Sequence, residues 1–281
     1  MEERILTASL IQAFCSYLYQ EEKSKLTIEK YRRDVKRFAD YLNRKEVEKE
    51  KLIAYKQDLV AEGYAFSSIN SMLAALNSFF AYTGWDDLRM KAIKVQRQIF
   101  CEEEKELIKS EYLRLVDCAL SRGKERLAMI LRTIGTTGIR VSELKFITVE
   151  AVKQGKLQVC SKSKNRTVFL VKGLRKKLVT YVKKQRISSG SIFLTRSGRP
   201  VNRTNIWKEM KALCKAAGVS DKKVFPHNLR HLFARVFYQA EKDIAKLADI
   251  LGHCSINTTR IYMVSSGREH LRCMEKMKML M

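Results

Sequence analysis

Apolar residues recur every three or four positions through most of the chain, the spacing that places them on one face of an α-helix. In the first part the pattern predicts four amphipathic helices, at about 7–21 (Leu10, Ile11, Phe14, Leu18), 27–43 (Ile28, Tyr31, Val35, Phe38, Leu42), 47–61 (Leu52, Tyr55, Leu59) and 67–82 (Ile69, Leu73, Leu76, Phe80). Thr27 and Ser67 stand where N-caps belong, and Gly63 and Gly84 follow helix ends. The periodicity lapses over Met90–Phe100, which carries Lys91, Lys94 and Arg97 and is followed by Glu102, Glu103 and Glu104. A linker at about 90–105 therefore divides the chain into a helical bundle, 1–98, and a second domain, 99–281. That domain opens with helices at 110–121 and 123–135, turns over Gly135–Gly138, and enters a helix near Val141. The period then changes. Short runs at 156–162 and 166–171, rich in β-branched and aromatic residues, flank a polar SKSKN stretch and predict a β-hairpin. Helices resume at about 173–186, 204–217, 227–239, 243–251, 256–264 and 267–279, and no internal repeat interrupts them. The predicted fold is mainly α with one small β-hairpin, an N-terminal helical bundle followed by an α+β domain.

Charge changes this picture. Among 281 residues, 55 Lys and Arg face 30 Asp and Glu, a net +25, on a chain that is 46% hydrophobic and so able to bury a core. Residues 1–100 hold 17 basic and 14 acidic side chains, which leaves 38 and 16 to the rest. Such an excess calls for a polyanionic partner, because neutralising phosphates releases condensed counterions. In the first domain Lys23, Lys25, Lys30, Arg32, Arg33, Lys36 and Arg37 crowd one helical region and predict a local basic face. General disorder is excluded. No apolar run reaches membrane-spanning length, and Glu2, Glu3 and Arg4 do not begin a secretory signal, so a soluble, cytoplasmic protein is expected. Seven cysteines are dispersed without a Cys-x-x-Cys pair, which predicts reduced, mostly packed thiols.

Four stretches concentrate groups able to handle a phosphodiester: TTGIRVSEL (136–144), CSKSKNR (160–166), PHNLRHLF (226–233) and LGHCSINTTRIY (251–262). Taken singly, each residue has an ordinary reading. Arg140 could pair with Glu143 three residues on, a hairpin lysine could be a solvated charge, and Tyr262 could be a half-buried helix residue. His227 and His231 have the spacing of a zinc pair, but Asn228 stands where a zincin carries Glu, and only His253 or Cys254 suggests a third ligand, so no metal is expected. Cys254 reads as inert packing and His270 as a surface residue.

In this order, behind a small helical domain, the four stretches resemble the tyrosine recombinase (phage integrase) family, in particular its short two-domain members of the Xer type. The resemblance implies a SAM-like, core-binding N-terminal bundle and an α+β catalytic domain. It implies Arg140 as first catalytic arginine, His227 and Arg230 as the His-x-x-Arg pair, His253 as the third-box histidine and Tyr262 as nucleophile, with Glu143 and His231 supporting the site. Lys162 aligns best with the hairpin lysine and Lys164 is the alternative, because serines at 161 and 163 replace the glycines of the usual turn. It further implies double-stranded DNA with inverted-repeat core sites as substrate, a homotetramer on two sites, accessory DNA-bending proteins as possible partners, and no cofactor. The Met-rich end (Met274, Met277, Met279, Met281) either packs on its own domain or docks into a neighbouring subunit.

The residues suit that chemistry. A phenol can form a phosphate ester that preserves the bond for religation. Two guanidiniums can neutralise the charge gathering on the phosphate oxygens, replacing a metal ion. A lysine among other cations can protonate the departing 5′ oxygen, and histidines can donate or accept a proton. The same groups would serve a type IB topoisomerase, or survive in a non-catalytic DNA-binding protein. The LGH and LRH boxes and the short chain favour recombination.

Overall fold

The apolar stripes of the first part form four helices in the computed structural model, which describes residues 4–95, 106–161, 164–253 and 255–260. These are α1 (Ala8–Gln20), α2 (Lys25–Leu42), α3 (Lys49–Ala61) and α4 (Phe66–Thr83). Phe14, Leu18, Val35, Phe38, Leu52, Leu59, Ile69, Leu76, Phe79 and Phe80 meet in one core, where the rings of Phe14 and Phe79 pack edge to face 5.2 Å apart. The N-caps differ from expectation. Ser24, not Thr27, caps α2, accepting the Thr27 N–H at 3.2 Å, so Thr27 lies inside the first turn. Ala65 occupies the cap position of α4 without a side-chain bond, and Ser67 is already helical. Gly84 ends α4 in the left-handed region.

After a short 3₁₀ turn at Asp86–Leu88, the chain is tied back to α4 by two asparagines. Asn77 accepts the Met90 N–H at 2.8 Å and donates to the Met90 carbonyl at 2.9 Å. Asn70, two turns earlier, does the same for Ile93 at 2.7 and 2.9 Å. Segment 90–93 was expected to open the linker; it is held to the first unit instead.

Two compact units separate at Arg97 and Gln98. The second contains α5 (Lys109–Ser121), α6 (Glu125–Thr137), α7 (Val149–Gln154), β1 (Lys156–Ser161), β2 (Lys164–Phe169), α8 (Lys172–Lys184), α9 (Arg203–Lys211), α10 (Cys214–Ala217), α11 (Pro226–Glu241), α12 (Ile244–Leu251) and α13 (Ile256–Arg260). α6 is buried on nearly every side, through Leu127, Ile130, Leu131, Thr133 and Ile134, with α5, α8 and α11 around it. It runs through Gly135 and ends only at Gly138, later than expected. The helix predicted from Val141 is a 3₁₀ segment, Val141–Phe146, followed by the separate α7. The chain there must turn so that Ile147 can accept the Ile192 N–H and Thr148 can bridge to Ser191, which a continuous helix would prevent. The predicted 204–217 helix likewise breaks into α9 and α10.

β1 and β2 pair antiparallel from Lys156↔Phe169 to Ser161↔Lys164, so Lys164 and Asn165, expected in the polar stretch between the runs, belong to β2. A small cluster of Ala234, Leu247 and Leu251, flanked by Phe233, Phe237 and Tyr238, fastens α12 to α11. Among the described residues, no helix is long and apolar enough to cross a membrane, and Cys15, Cys118 and Cys214 are free thiols. The Met-rich end, His270 and Cys254 lie outside the described residues.

Candidate active site

Three chain segments distant in sequence converge in the second unit, each brought there by a helix end. α6 stops at Gly138, whose φ of +61° only glycine adopts without strain. The chain leaves extended through Arg140 into the 3₁₀ turn. Pro226 starts α11 with its ring already at helical φ, and the first two turns carry His227, Arg230 and His231 on one side. α12 closes with left-handed Gly252, and His253 follows immediately.

Arg230 links all three. Its side chain is only 2% exposed. One guanidinium nitrogen donates to the Gly138 carbonyl at the end of α6, and the other to the Leu251 carbonyl at the end of α12, at 2.7 Å. Helix C-termini present carbonyls without intrahelical partners and carry partial negative charge, so two of them can hold a buried cation. The second nitrogen also lies 3.1 Å from His253 Nε2. Because a guanidinium only donates, Nε2 is the acceptor, and the ring proton sits on Nδ1, which donates to Thr259 Oγ1 at 2.8 Å. Thr259 is completely buried. His253 is thus fixed as the neutral Nδ1–H tautomer. Burial and the cations Arg230, Arg140 and Arg166 agree, pushing its pKa down to about 4.

Arg140 forms the ion pair expected of an isolated arginine: Nη1 lies 3.0 Å from Glu143 Oε1, and its backbone N–H donates to Oε2 at 2.9 Å. The pairing still leaves the Arg140 side chain 40% exposed, so it orients the head without hiding it. Glu143 itself is 3% exposed. Burial pushes its carboxyl up, but the Arg140 N–H, the Arg166 guanidinium and the Arg140 side chain together outweigh this and hold it below the ordinary carboxylate range.

His227 has its pKa lowered by the protein packed around it and by Arg230, Arg203 and Arg140, although the residue also reaches solvent. The His231 ring stands edge-on to that of His227, 4.5 Å between centroids, and burial with His227 and Arg230 brings it down to about 4. All three histidines are therefore neutral near pH 7, and among the described side chains of the site the positive charge rests on the arginines. Among the described residues no three His, Cys, Asp or Glu side chains are placed to hold a metal ion, so the His227 and His231 pair finds no third ligand there.

The structure thus brings together Arg140, Glu143, His227, Arg230, His231 and His253. Lys162 and Tyr262 lie outside the described residues; Lys164 takes its place in β2 by backbone pairing with Ser161. Sequence reasoning missed Arg166, which donates to Glu143 Oε2 and to the Ile250 carbonyl, each at 2.5 Å. The signal was present: Arg166 and Val168 alternate along β2, Leu170 continues the period just past its end, and the last two are buried, so Arg166 belongs on the inward face opposite buried Val159. Arg203, at the start of α9, was missed as well, and no local pattern ties it to His227.

Residues 105–268 match the phage integrase family, and residues 11–86 match the phage integrase N-terminal SAM-like domain. The chain is 27% identical over 289 residues to tyrosine recombinase XerA of Pyrococcus furiosus, covering 100% of this chain and 98% of that one. It is 29% identical over 260 residues to tyrosine recombinase XerD of Halalkalibacterium halodurans, covering 84% and 86%. Among solved structures, XerA recombinase aligns with a TM-score of 0.54 at 26% identity over 97% of this chain and 98% of that chain. A lambda integrase tetramer bound to a Holliday junction has the same fold, with a TM-score of 0.73 at 18% identity over 93% and 78%. With its second unit matched almost throughout and its first matched to the companion domain, this chain belongs to the phage integrase family of tyrosine recombinases.

Proposed function

We propose that the chain is a site-specific DNA recombinase that cuts and rejoins double-stranded DNA without metal or ATP. The Tyr262 phenol oxygen attacks the scissile phosphorus, the bond from phosphorus to the 5′ oxygen breaks, and a 3′-phosphotyrosyl ester holds the strand. The freed 5′-hydroxyl of one duplex then attacks the phosphotyrosine of its partner, passing through a Holliday junction. Arg140 and Arg230 neutralise the charge that gathers on the non-bridging oxygens, and Lys162, or Lys164 in its place, protonates the departing 5′ oxygen. His227, neutral at working pH, exchanges hydrogen bonds and protons with the phosphate and the phenol, His253 serves by holding the Arg230 guanidinium through Nε2, and Glu143 and His231 support them.

One observation carries this reading. The arginine and histidine boxes, far apart in sequence, meet through Arg230, which joins the end of α6 to His253. The first domain would hold the duplex through Lys25, Arg32 and Lys36, which share one exposed face of α2, with Lys23 and Arg33 nearby. Lys30 and Arg37 contribute less than their number suggests, because Lys30 is bound to buried Asp34 at 2.5 Å and Arg37 to Glu62 at 3.0 Å. Four subunits on two inverted-repeat core sites, with accessory DNA-bending proteins where the site needs them, complete the assembly.

A nicked suicide duplex, carrying the sequence this protein selects from random DNA, tests the proposal. The wild type should form an adduct that survives denaturant, and Tyr262→Phe should form none. An adduct unchanged in Tyr262→Phe refutes the assigned nucleophile. Binding without any adduct indicates a non-catalytic protein, and relaxation of supercoils lacking the site indicates a topoisomerase.

A further inference from the structure

We propose that Arg166 is a positioning residue for strand cleavage, setting the Arg140 guanidinium through Glu143 and locking the arginine box to the end of α12; this rests on the recombinase reading above. Arg166 sits in β2 on the face shared with buried Val159 and Val168, and its side chain is 10% exposed. Its two terminal nitrogens reach opposite ways. Nη2 donates to Glu143 Oε2, the same oxygen that accepts the Arg140 backbone N–H, while Glu143 Oε1 receives the Arg140 head. Nη1 donates to the carbonyl of Ile250, one residue before the Leu251 carbonyl held by Arg230. The stem of Arg166 is pressed against Gly252, where an added Cβ would stand 2.5 Å from Arg166 Cδ.

The geometry separates two arginine roles. Arg140 is partly exposed and can meet a phosphate; Arg166 is enclosed and meets only protein among the described residues. With Arg166 in place the Glu143 carboxylate is shared between two cations and cannot rotate to follow Arg140, so the Arg140 head has one resting position. Arg166 also ties the hairpin and the carboxylate to the Ile250 carbonyl, three residues before His253. Lysine at 166 offers a single ammonium, which can reach Glu143 or the Ile250 carbonyl but lacks the fork that spans both.

The test uses the full chain and the suicide duplex above, comparing single-turnover adduct formation and DNA affinity for wild type, Arg166→Lys, Glu143→Gln and the double variant. Arg166→Lys should slow adduct formation by about 10- to 100-fold, the range expected when a catalytic group is misplaced rather than removed. Its DNA affinity should stay within about threefold, since Arg166 carries no phosphate contact in this scheme. In the Glu143→Gln background the same change should cost no more than about threefold, because both act through one carboxylate. A scissile methylphosphonate, which lacks the charge that Arg140 neutralises, should shrink the Arg166→Lys defect; if the wild type leaves that substrate uncut, the double variant alone decides. Additive defects, or an Arg166→Lys enzyme as fast as wild type, overturn the proposal, as does loss of folded structure by thermal melting in both Arg166→Lys and Arg166→Ala. Failure of the wild type itself to form an adduct overturns the recombinase reading instead.

Discussion

Replacing Gly138 by alanine tests how the end of α6 is built. The residue sits at φ +61°, and an added Cβ would lie 2.4 Å from Phe233 Cδ1 and 2.9 Å from Leu251 Cδ2. Two penalties follow. A left-handed conformation costs a non-glycine residue about 1–2 kcal/mol. Overpacking a filled site costs about 1–3 kcal/mol more, here against fully buried Leu251 and a phenylalanine in the cluster that joins α11 to α12. The total of about 2–5 kcal/mol is a large share of the roughly 5–15 kcal/mol that holds a domain folded. Gly218 is the matching control in the same unit: its φ is +60°, and an added Cβ would meet nothing within 4 Å. Gly218→Ala should therefore show the backbone penalty alone. Urea unfolding of both variants, followed by circular dichroism, isolates the steric part as their difference. Adduct formation should fall further in Gly138→Ala, because the displaced carbonyl is one that Arg230 holds. Equal destabilisation of the two variants would refute the claim that Phe233 and Leu251 close over Gly138.

Glu143→Gln should destabilise the protein by about 3–5 kcal/mol at neutral pH, the usual cost of breaking a buried ion pair, and should lose most of its adduct formation. Its pH dependence has a definite sign. The folded-state pKa of Glu143 is depressed, so its stabilisation is present above the unfolded pKa and is lost as pH falls through the folded value. Melting temperatures of wild type and Glu143→Gln should then converge in acid, below about pH 4; a constant gap down to that range contradicts the assignment. In the first unit, Asn70→Ala and Asn77→Ala should each cost about 1–3 kcal/mol for two lost hydrogen bonds. Hydrogen exchange should quicken at the Ile93 amide in the first variant and at the Met90 amide in the second, and unaltered exchange would show that neither asparagine holds that segment.

Much of this architecture was legible in the sequence because burial imposes a period. The stripes of α1 to α4 follow Phe14, Val35, Leu59 and Leu76, all buried where the spacing placed them. The hairpin announced itself by the change from a period near 3.6 to one of 2. Boundaries were harder to read where two residues could do the same task. Ser24 and Thr27 are both competent caps, and only the geometry shows Ser24 accepting the Thr27 N–H. The break after Phe146 is dictated by Thr148 and Ser191, partners far apart in sequence that local patterning cannot register. The site divides the same way. Arg140, His227, Arg230 and His253 stand in recognisable local strings, whereas Arg203 is identified only by where the fold carries α9. Arg166 fell at the start of the predicted second strand but was given no role, because the alternation with Val168 that sends it inward is short and stands beside the polar SKSKN stretch.

The anchorage of Arg230 has a consequence for the conditions under which the enzyme operates. Peptide oxygens from Gly138 and Leu251 bear no ionisable proton, so these bonds do not weaken in acid as a carboxylate contact does. Glu143 can be titrated away from Arg140, but nothing comparable releases Arg230 from the two helix ends. With His253 and His231 already neutral well below physiological pH, the arginine charge offered to a phosphate stays level across the mildly acidic and neutral range. The steepness of any rate profile there then reports the groups that transfer protons, read against an electrostatic background that stays constant.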